Sequence, residues 1–376
     1  MKICHLTSVH PSEDIRILIK ECQSLAKAGH DVSLIVANHP SDTKYGVNII
    51  GVKAASPNRF FKMVKGPISV YKQALKEDAD VYHFHDPELM PVGLLLKKNR
   101  KKVIYDVHED VPEQVLSKEW IPKPLRRLIS KVVKAVEKYS SQRFDAVVAA
   151  TPTIAGRFQT YNSSTATIHN FPILNELHNG AVEQGENHNS TSDGNVLYIG
   201  GITALRGIEE MMEAVEKINA RRPARLLLAG KFAPASLEEA MKEKPGWKYV
   251  NHLGWLSRDQ IKRYLSSSDV GLVLLHPEPR YVVSYPIKLF EYMSAGLPVI
   301  ASNFPLWKEI VEGNQCGKCI DPLDTDAAAD AIQWFLDNPE EAKQMGENGR
   351  RAIEEKYNWE TESEHLIELY DHLSHT

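Results

Sequence analysis

Ser284–Ser302 reads SYPIKLFEYMSAGLPVIAS, a run that passes from turn to helix to strand within one short stretch. Pro286 and Lys288 stand at the start of the helix, Glu291 lies one turn in, and Gly296 falls where the helix should stop. Proline near the first helical position and glycine just past the last are what helix ends favour. The apolar run Pro298 to Ala301 then enters a strand. A helix start presents unpaired N–H groups with the positive end of the dipole behind them, which suits a phosphate. Glu291 would lie beside the same spot, able to accept hydrogen bonds from a diol. A capped helix with a solvated glutamate fits the segment as well.

The same alternation extends in both directions. Ile3–Leu6, Val32–Val36, Val47–Val52, Val81–Phe84, Val103–Val107 and Ala146–Ala150 are short and β-branched, with helical periodicity such as Ile15–Ala28 between them. A second series follows in Val196–Ile199, Leu226–Ala229, Val250–Leu253, Val270–Leu275 and Val299–Ala301. Such alternation predicts an α/β protein with parallel βαβ units and doubly wound sheets. Between the two series, Asn179–Asn195 (NGAVEQGENHNSTSDGN) has the composition of a linker or mobile loop. The expected division is residues 1–178, a linker at 179–195, a second domain at 196–355, and a final helix at 356–376 packing back on the first domain.

Bulk properties narrow the function. The 376 residues are 43% apolar, enough for packed cores, and the net charge of −4 argues against nucleic acid as a partner. The N-terminus lacks the apolar core of a signal peptide, and no apolar run approaches a bilayer's thickness. Four cysteines fit a reducing compartment, so a cytoplasmic location is expected.

In the second half, Val196-Leu-Tyr-Ile-Gly200-Gly201 ends a strand in glycines and leads through Arg206 to a helix. Backbone can approach a phosphate closely at such a turn. The next strand ends Leu228-Ala-Gly230-Lys231, at the sheet edge where open α/β sheets bind ligands. Arg206, Lys231 and the helix start near Pro286 thus face one crevice, an arrangement suited to a diphosphate leaving group. Either cation alone reads as a solvated surface charge.

YIGGITALRGIEEMMEA, LLLAGK, VNHLGWLSRDQIKRYLSSSDVGLVLL and KLFEYMSAGLPVIAS resemble the donor-binding half of retaining glycosyltransferases of family 4. HLTSVHPSEDIRILIKE, DVYHFHDPELMPVG and VIYDVHED extend the resemblance over most of the chain. It implies the GT-B fold, two Rossmann-like domains facing across a cleft. It also implies sugar transfer from a nucleotide diphosphate sugar, UDP-sugar foremost, with retained configuration and no metal or other cofactor. The donor site carried over comprises Gly200, Gly201, Arg206, Lys231, His252, Ser284, Tyr285, Pro286, Lys288, Leu289 and Glu291. Arg206 and Lys231 would hold the diphosphate, Glu291 the ribose hydroxyls, and the Ser284–Lys288 backbone would cover the phosphates. The catalytic set is Arg206, Lys231, Glu291, His108 and Asp14. Two positions depart from the pattern: Val283 stands where the family has a second Glu, and Gly201 where it often has Arg.

In the first half, three strand ends carry clusters of acids and histidines: His10, Asp14 and Arg16; His85, Asp86 and Glu88; His108 and Glu109. Together they mark a polar site, in the resembled family the site of the acceptor. His83-x-His85 and Asp106-x-His108 are also spaced as metal ligands on strands, but they name no closed four-ligand set. Asp324-Thr-Asp326 reads as a helix cap, and Cys316-Gly-Lys-Cys319 has no second pair to make a zinc site. No metal site is therefore expected.

Lys123–Arg143 (KPLRRLISKVVKAVEKYSSQR) sets seven basic residues against one acid, with an apolar stripe at helical spacing. It reads either as docking to an anionic membrane surface or as a core-packed helix with a solvated basic face. The resulting expectation is a glycosyltransferase of cell-surface polysaccharide synthesis, peripheral at the inner membrane face, with a glycan or lipid-linked acceptor. A sugar-nucleotide epimerase of the same fold and a non-catalytic sugar-nucleotide-binding subunit are the alternatives.

Overall fold

The computed structural model describes residues 1–53, 59–118, 121–177 and 193–375, so most of the expected linker lies outside the described residues. The chain forms two compact units, Met1–Asn170 with Trp359–Thr376, and Phe171–Asn358. The boundary lies upstream of the expected residue 178, because Phe171 and Leu177 are buried in the second unit's core with Phe290 and Tyr292.

The first unit is built on an eight-stranded sheet. Its spatial order is Asp42–Lys44, Val47–Val52, Asp31–Ala37, Lys2–Thr7, Val81–Phe84, Lys102–Val107, Ala146–Ala149 and Thr165–Thr167. All pairings are parallel except the edge hairpin Asp42–Lys44 with Val47–Val52. The central strands are buried except at Lys102, as parallel strands covered by helices on both faces must be. The expected first helix divides into a π-wound turn, Ile15–Cys22, and a short α-helix, Gln23–Lys27. Trp359–His375 completes this unit, its Trp359 indole donating to Ser24 Oγ at 3.0 Å.

The second unit has a six-stranded, wholly parallel sheet ordered Val250–Gly254, Ala224–Ala229, Gly194–Ile199, Val270–Val273, Val299–Ser302 and Gly317–Ile320. The chain reverses its direction of winding between Gly194–Ile199 and Val270–Val273. Ligands of doubly wound sheets bind outside the strand ends at such a switch point, and the glycine loop Gly200–Gly201 lies there.

Candidate functional site

At that switch point the backbone is shaped by glycine. Gly200 has φ +130°, and a Cβ added there would come within 3.1 Å of Lys288 Nζ and 3.8 Å of Arg206 Nη1. A Cβ on Gly201 would meet Arg206 Nη1 at 2.9 Å. Two cations therefore stand directly over a side-chain-free loop. Arg206 Nη1 donates to the Gly201 carbonyl at 3.2 Å, and Tyr198 Oη donates to the same oxygen at 2.7 Å. Lys288 sits on the first turn of the helix Ile287–Ser294, with Pro286 as its N-cap. Its Nζ is buried, lacks a hydrogen-bond partner among the described residues, and lies 3.5 Å from the centroid of the Tyr198 ring. Burial, with Arg206 alongside, holds the Lys288 pKa well below the ordinary lysine range. An ammonium buried without an anion is a costly arrangement that a bound anion would relieve.

The other donor-site expectations divide. Lys231 brings only its backbone to this loop, where its carbonyl accepts from Ile202 N at 2.9 Å. Its side chain is exposed, with Nζ 5.6 Å from the Trp255 ring centroid, so the second cation beside Arg206 is Lys288. His252 backs the neighbouring turn, its Nε2 3.2 Å from the Gly230 carbonyl. Ser284 Oγ donates to Tyr281 O at 2.9 Å, and the Ser284 carbonyl accepts from Trp307 Nε1 at 2.8 Å. Tyr285 packs on Phe171 and Phe290, and Leu289 is core. The Ser284 hydroxyl, the Tyr285 ring and the Leu289 side chain are thus engaged in shaping the loop. Glu291 is buried and accepts from Arg258 Nη1, while Arg258 Nε and Nη2 donate to Glu176 at 2.8 and 3.0 Å. Arg258 and Glu176 carry no local signal, since they lie far from Glu291 along the chain.

In the first unit the three clusters do converge, but with divided roles. Asp86 is buried and accepts from Thr7 Oγ1 at 2.9 Å, from the Ser8 and Val9 amides, and from His10 Nδ1 at 2.7 Å. Burial opposes its charge, yet these donors bring its pKa down to about 2, and the hydrogen bond to Asp86 raises that of His10. Asp86 thus closes the loop between the first strand and its helix. Asp14 caps the first helix, its Oδ1 accepting from Ile17 N at 3.0 Å. Arg16 and His85, expected at an acceptor surface, are both buried. Arg16 donates to both oxygens of Asp106 at 3.0 and 3.1 Å and to the Ile168 carbonyl at 3.0 Å. His85 is bonded within the core to His5 and Asp106. His10 and His108 are half-buried, Glu88 is half-buried with a pKa raised by burial, and Glu109 is exposed.

Glu21, His83, His85 and Asp106 bring ligand atoms within 4.8 Å of one another, all buried. Glu21 completes a four-group set that spacing alone did not reveal. The Arg16 guanidinium, 3.0 Å from both Glu21 and Asp106, already supplies positive charge there. Asp324 is a helix cap as expected, accepting from the Asp326 and Ala327 amides at 3.1 and 2.9 Å.

The basic helix runs Lys123–Ser141 and turns an unusual face inward: Glu137, Ser140 and Ser141 are buried, with Glu137 bound to Arg157. Its apolar stripe is outside. Leu125 is 47% exposed, Leu128 58%, Val132 54% and Tyr139 53%. Lys123, Arg127, Lys131, Lys134 and Lys138 are exposed as well.

Residues 183–352 match the family model of group 1 glycosyl transferases, and residues 16–172 that of Glycosyltransferase Family 4. The chain belongs to glycosyltransferase family 4. Among curated relatives, the MMP α-(1→4)-mannosyltransferase of Mycolicibacterium hassiacum is 22% identical over 301 residues, 78% of this chain and 71% of that one. Of solved structures, sucrose-phosphate synthase of Thermosynechococcus elongatus superposes with TM-score 0.81 at 21% identity, covering 99% of each chain. The Anabaena protein HepE, solved with UDP-glucose, superposes with TM-score 0.72 at 15% identity, again covering 99% of each. These likenesses establish the GT-B architecture of two Rossmann-like domains.

Proposed function

We propose that this glycosyltransferase is a retaining, metal-independent enzyme taking its sugar from a nucleotide diphosphate sugar, UDP-sugar foremost. The observation carrying this reading is the buried, unpartnered Lys288 ammonium beside Arg206 above the glycine loop. A diphosphate suits that loop in charge, and two cations stabilise it as it departs. HepE, solved with UDP-glucose, supports the choice of nucleotide. Glu291, aligned by Arg258, would accept from the ribose diol. In the reaction the bond from the sugar's anomeric carbon to the diphosphate oxygen breaks, and the acceptor oxygen bonds to that carbon on the same face. The acceptor's proton passes to the departing phosphate. The test is donor turnover in EDTA with Lys288→Met and Arg206→Ala, each expected to lose on the order of a hundredfold. Loss of activity with chelator, restored by Mn²⁺ or Mg²⁺, would refute metal independence, and near-normal turnover in both variants would refute the site.

The acceptor is assigned to the first unit, facing His10, Glu88, His108 and Glu109, and is a glycan carried on a lipid. Support comes from the Lys123–Ser141 helix, whose apolar stripe is exposed beside a row of cations. That combination fits an anionic bilayer surface, where each Lys or Arg contributes about 1 kcal/mol. A second copy of the chain fits poorly, since like charges would meet. Among the described residues no helix is long and apolar enough to cross a membrane, so attachment would be peripheral. Lys123, Arg127, Lys131 and Lys134 changed together to Gln should weaken binding to anionic vesicles. Binding indifferent to lipid charge would sink the idea.

A further inference from the structure

We propose that Asp106 holds His108 as the Nε2–H tautomer, so that its bare Nδ1 serves as a fixed hydrogen-bond acceptor for a hydroxyl of the bound acceptor. The inference deepens the proposed function, resting on the assignment of His108 to that site. It begins with the carboxylate. Asp106 is buried at the end of Lys102–Val107. Burial alone would raise its pKa, but the Arg16 guanidinium, with His108 and His85, holds it well below the usual carboxylate range. Burial, with the charge of Asp106, pushes Glu21 the other way, so one negative charge rather than two faces Arg16. An ionised carboxylate can only accept hydrogen bonds.

Everything behind it then has one consistent direction. Asp106 Oδ2 lies 2.8 Å from His108 Nε2 and 3.1 Å from His85 Nδ1, so both nitrogens carry protons. Neutral His85 must therefore have a bare Nε2, which meets His5 Nδ1 at 2.9 Å, so that nitrogen carries the proton. His5 Nε2 is bare in turn and accepts from Tyr370 Oη at 3.3 Å. The Tyr370 oxygen accepts from His83 Nδ1 at 2.8 Å. Burial lowers the pKa of His5, His83 and His85, which keeps all three rings neutral and the relay unbroken. The alternative direction would point a lone pair of His85 at the Asp106 carboxylate.

The surface end of this chain is chemically selective. His108 is half-buried, and its Nδ1 has no partner among the described residues. A bare imidazole nitrogen accepts from a hydroxyl but repels a phosphate or carboxylate oxygen. Its neighbour His10, with ring centroids 5.3 Å apart, is bound to Asp86 and has its pKa raised, so it presents the opposite character. One acceptor beside one cation discriminates a sugar hydroxyl from a bare anion. Asp106 acts only through His108 and is a positioning residue.

The test is a long-range ¹H–¹⁵N correlation spectrum of the full chain labelled at histidine, recorded under mildly alkaline conditions where imidazoles are neutral. The expected result is His108 protonated on Nε2, with His5, His83 and His85 protonated on Nδ1. A His108 protonated on Nδ1, or a His85 protonated on Nε2, overturns the proposal, and this measurement needs no variant to fold. Asp106→Asn then supplies an amide that can donate to Nε2. His108 is expected to shift its proton to Nδ1 and turnover to fall about 10–100-fold, the scale on which ligand-orienting partners act. An unchanged His108 tautomer in that variant would also overturn the proposal. A shifted tautomer with normal turnover would uphold the positioning by Asp106 and remove His108 from the reaction.

Discussion

Replacing Lys288 by Met should make the free protein more stable and slow the enzyme about a hundredfold. The Lys288 ammonium is buried without a hydrogen-bond partner among the described residues. Leaving such a group unsatisfied costs about 1–3 kcal/mol. Its place 3.5 Å from the Tyr198 ring centroid returns part of that, about 1 kcal/mol for a cation over an aromatic face. Methionine keeps the volume and drops the charge, so a gain of about 1 kcal/mol is expected, or about 2–4 °C in Tm for a unit of this size. The pH dependence has a defined sign. The folded Lys288 pKa lies below that of the unfolded chain, so the unfolded state binds more protons in between and stability rises with pH through that window. The Met variant should lack this slope. UDP at a hundred times its Kd should stabilise the wild type by about 2.7 kcal/mol, and the variant should lose most of that shift. Thermal unfolding with and without UDP, in EDTA, reads all three. A variant that melts below the wild type and keeps its UDP shift would refute the argument.

Gly200→Ala places a side chain at φ +130° and 3.1 Å from Lys288 Nζ; a loss of about 1–3 kcal/mol in stability and of most turnover is expected, measured by denaturant titration and donor turnover. Asp86→Asn should lower the His10 pKa seen by NMR titration. In the wild type the stabilisation from His10 is full below the unfolded histidine pKa and fades as pH rises through its raised folded value, while that from Asp86 is lost only as pH falls toward about 2. A His10 titration unmoved by the substitution would exclude that pair. Arg258→Ala strands Glu291, whose side chain is 11% exposed against 27% for Arg258; breaking a fully buried pair costs 3–5 kcal/mol, so about 2 kcal/mol is expected here, with a raised donor KM.

Much of the architecture was legible because parallel strands announce themselves as β-branched runs ended by glycine or charge. The second unit's sheet, from Val196 to Ala301, follows those runs closely. The convergence of Gly200, Gly201, Arg206 and Lys288 was legible because chemistry and local order coincide there. Lys231 looked equivalent to Lys288 because both stand at strand or helix ends, and only packing decides which ammonium turns inward. Arg16 and His85 looked like site residues because the partners that bury them, Asp106, Glu21 and His5, come from distant positions. The Lys123–Ser141 helix illustrates a further limit. Its periodicity shows an apolar stripe but not which face the fold covers, and here polar Glu137, Ser140 and Ser141 are covered. The Tyr370 bond to His83 spans 287 positions and leaves no local trace.

The first unit is discontinuous in sequence, since Trp359–Thr376 joins Met1–Asn170 across the whole of the second. At translation speeds of about 5–20 residues per second, the first 170 residues wait about 10–40 s for that helix. Throughout the delay His5 and His83 lack the phenol they share, and Ser24 lacks the Trp359 indole. The nascent first unit is therefore a receptor awaiting its own tail. A synthetic peptide of residues 359–375 supplied in trans should rescue a truncated chain.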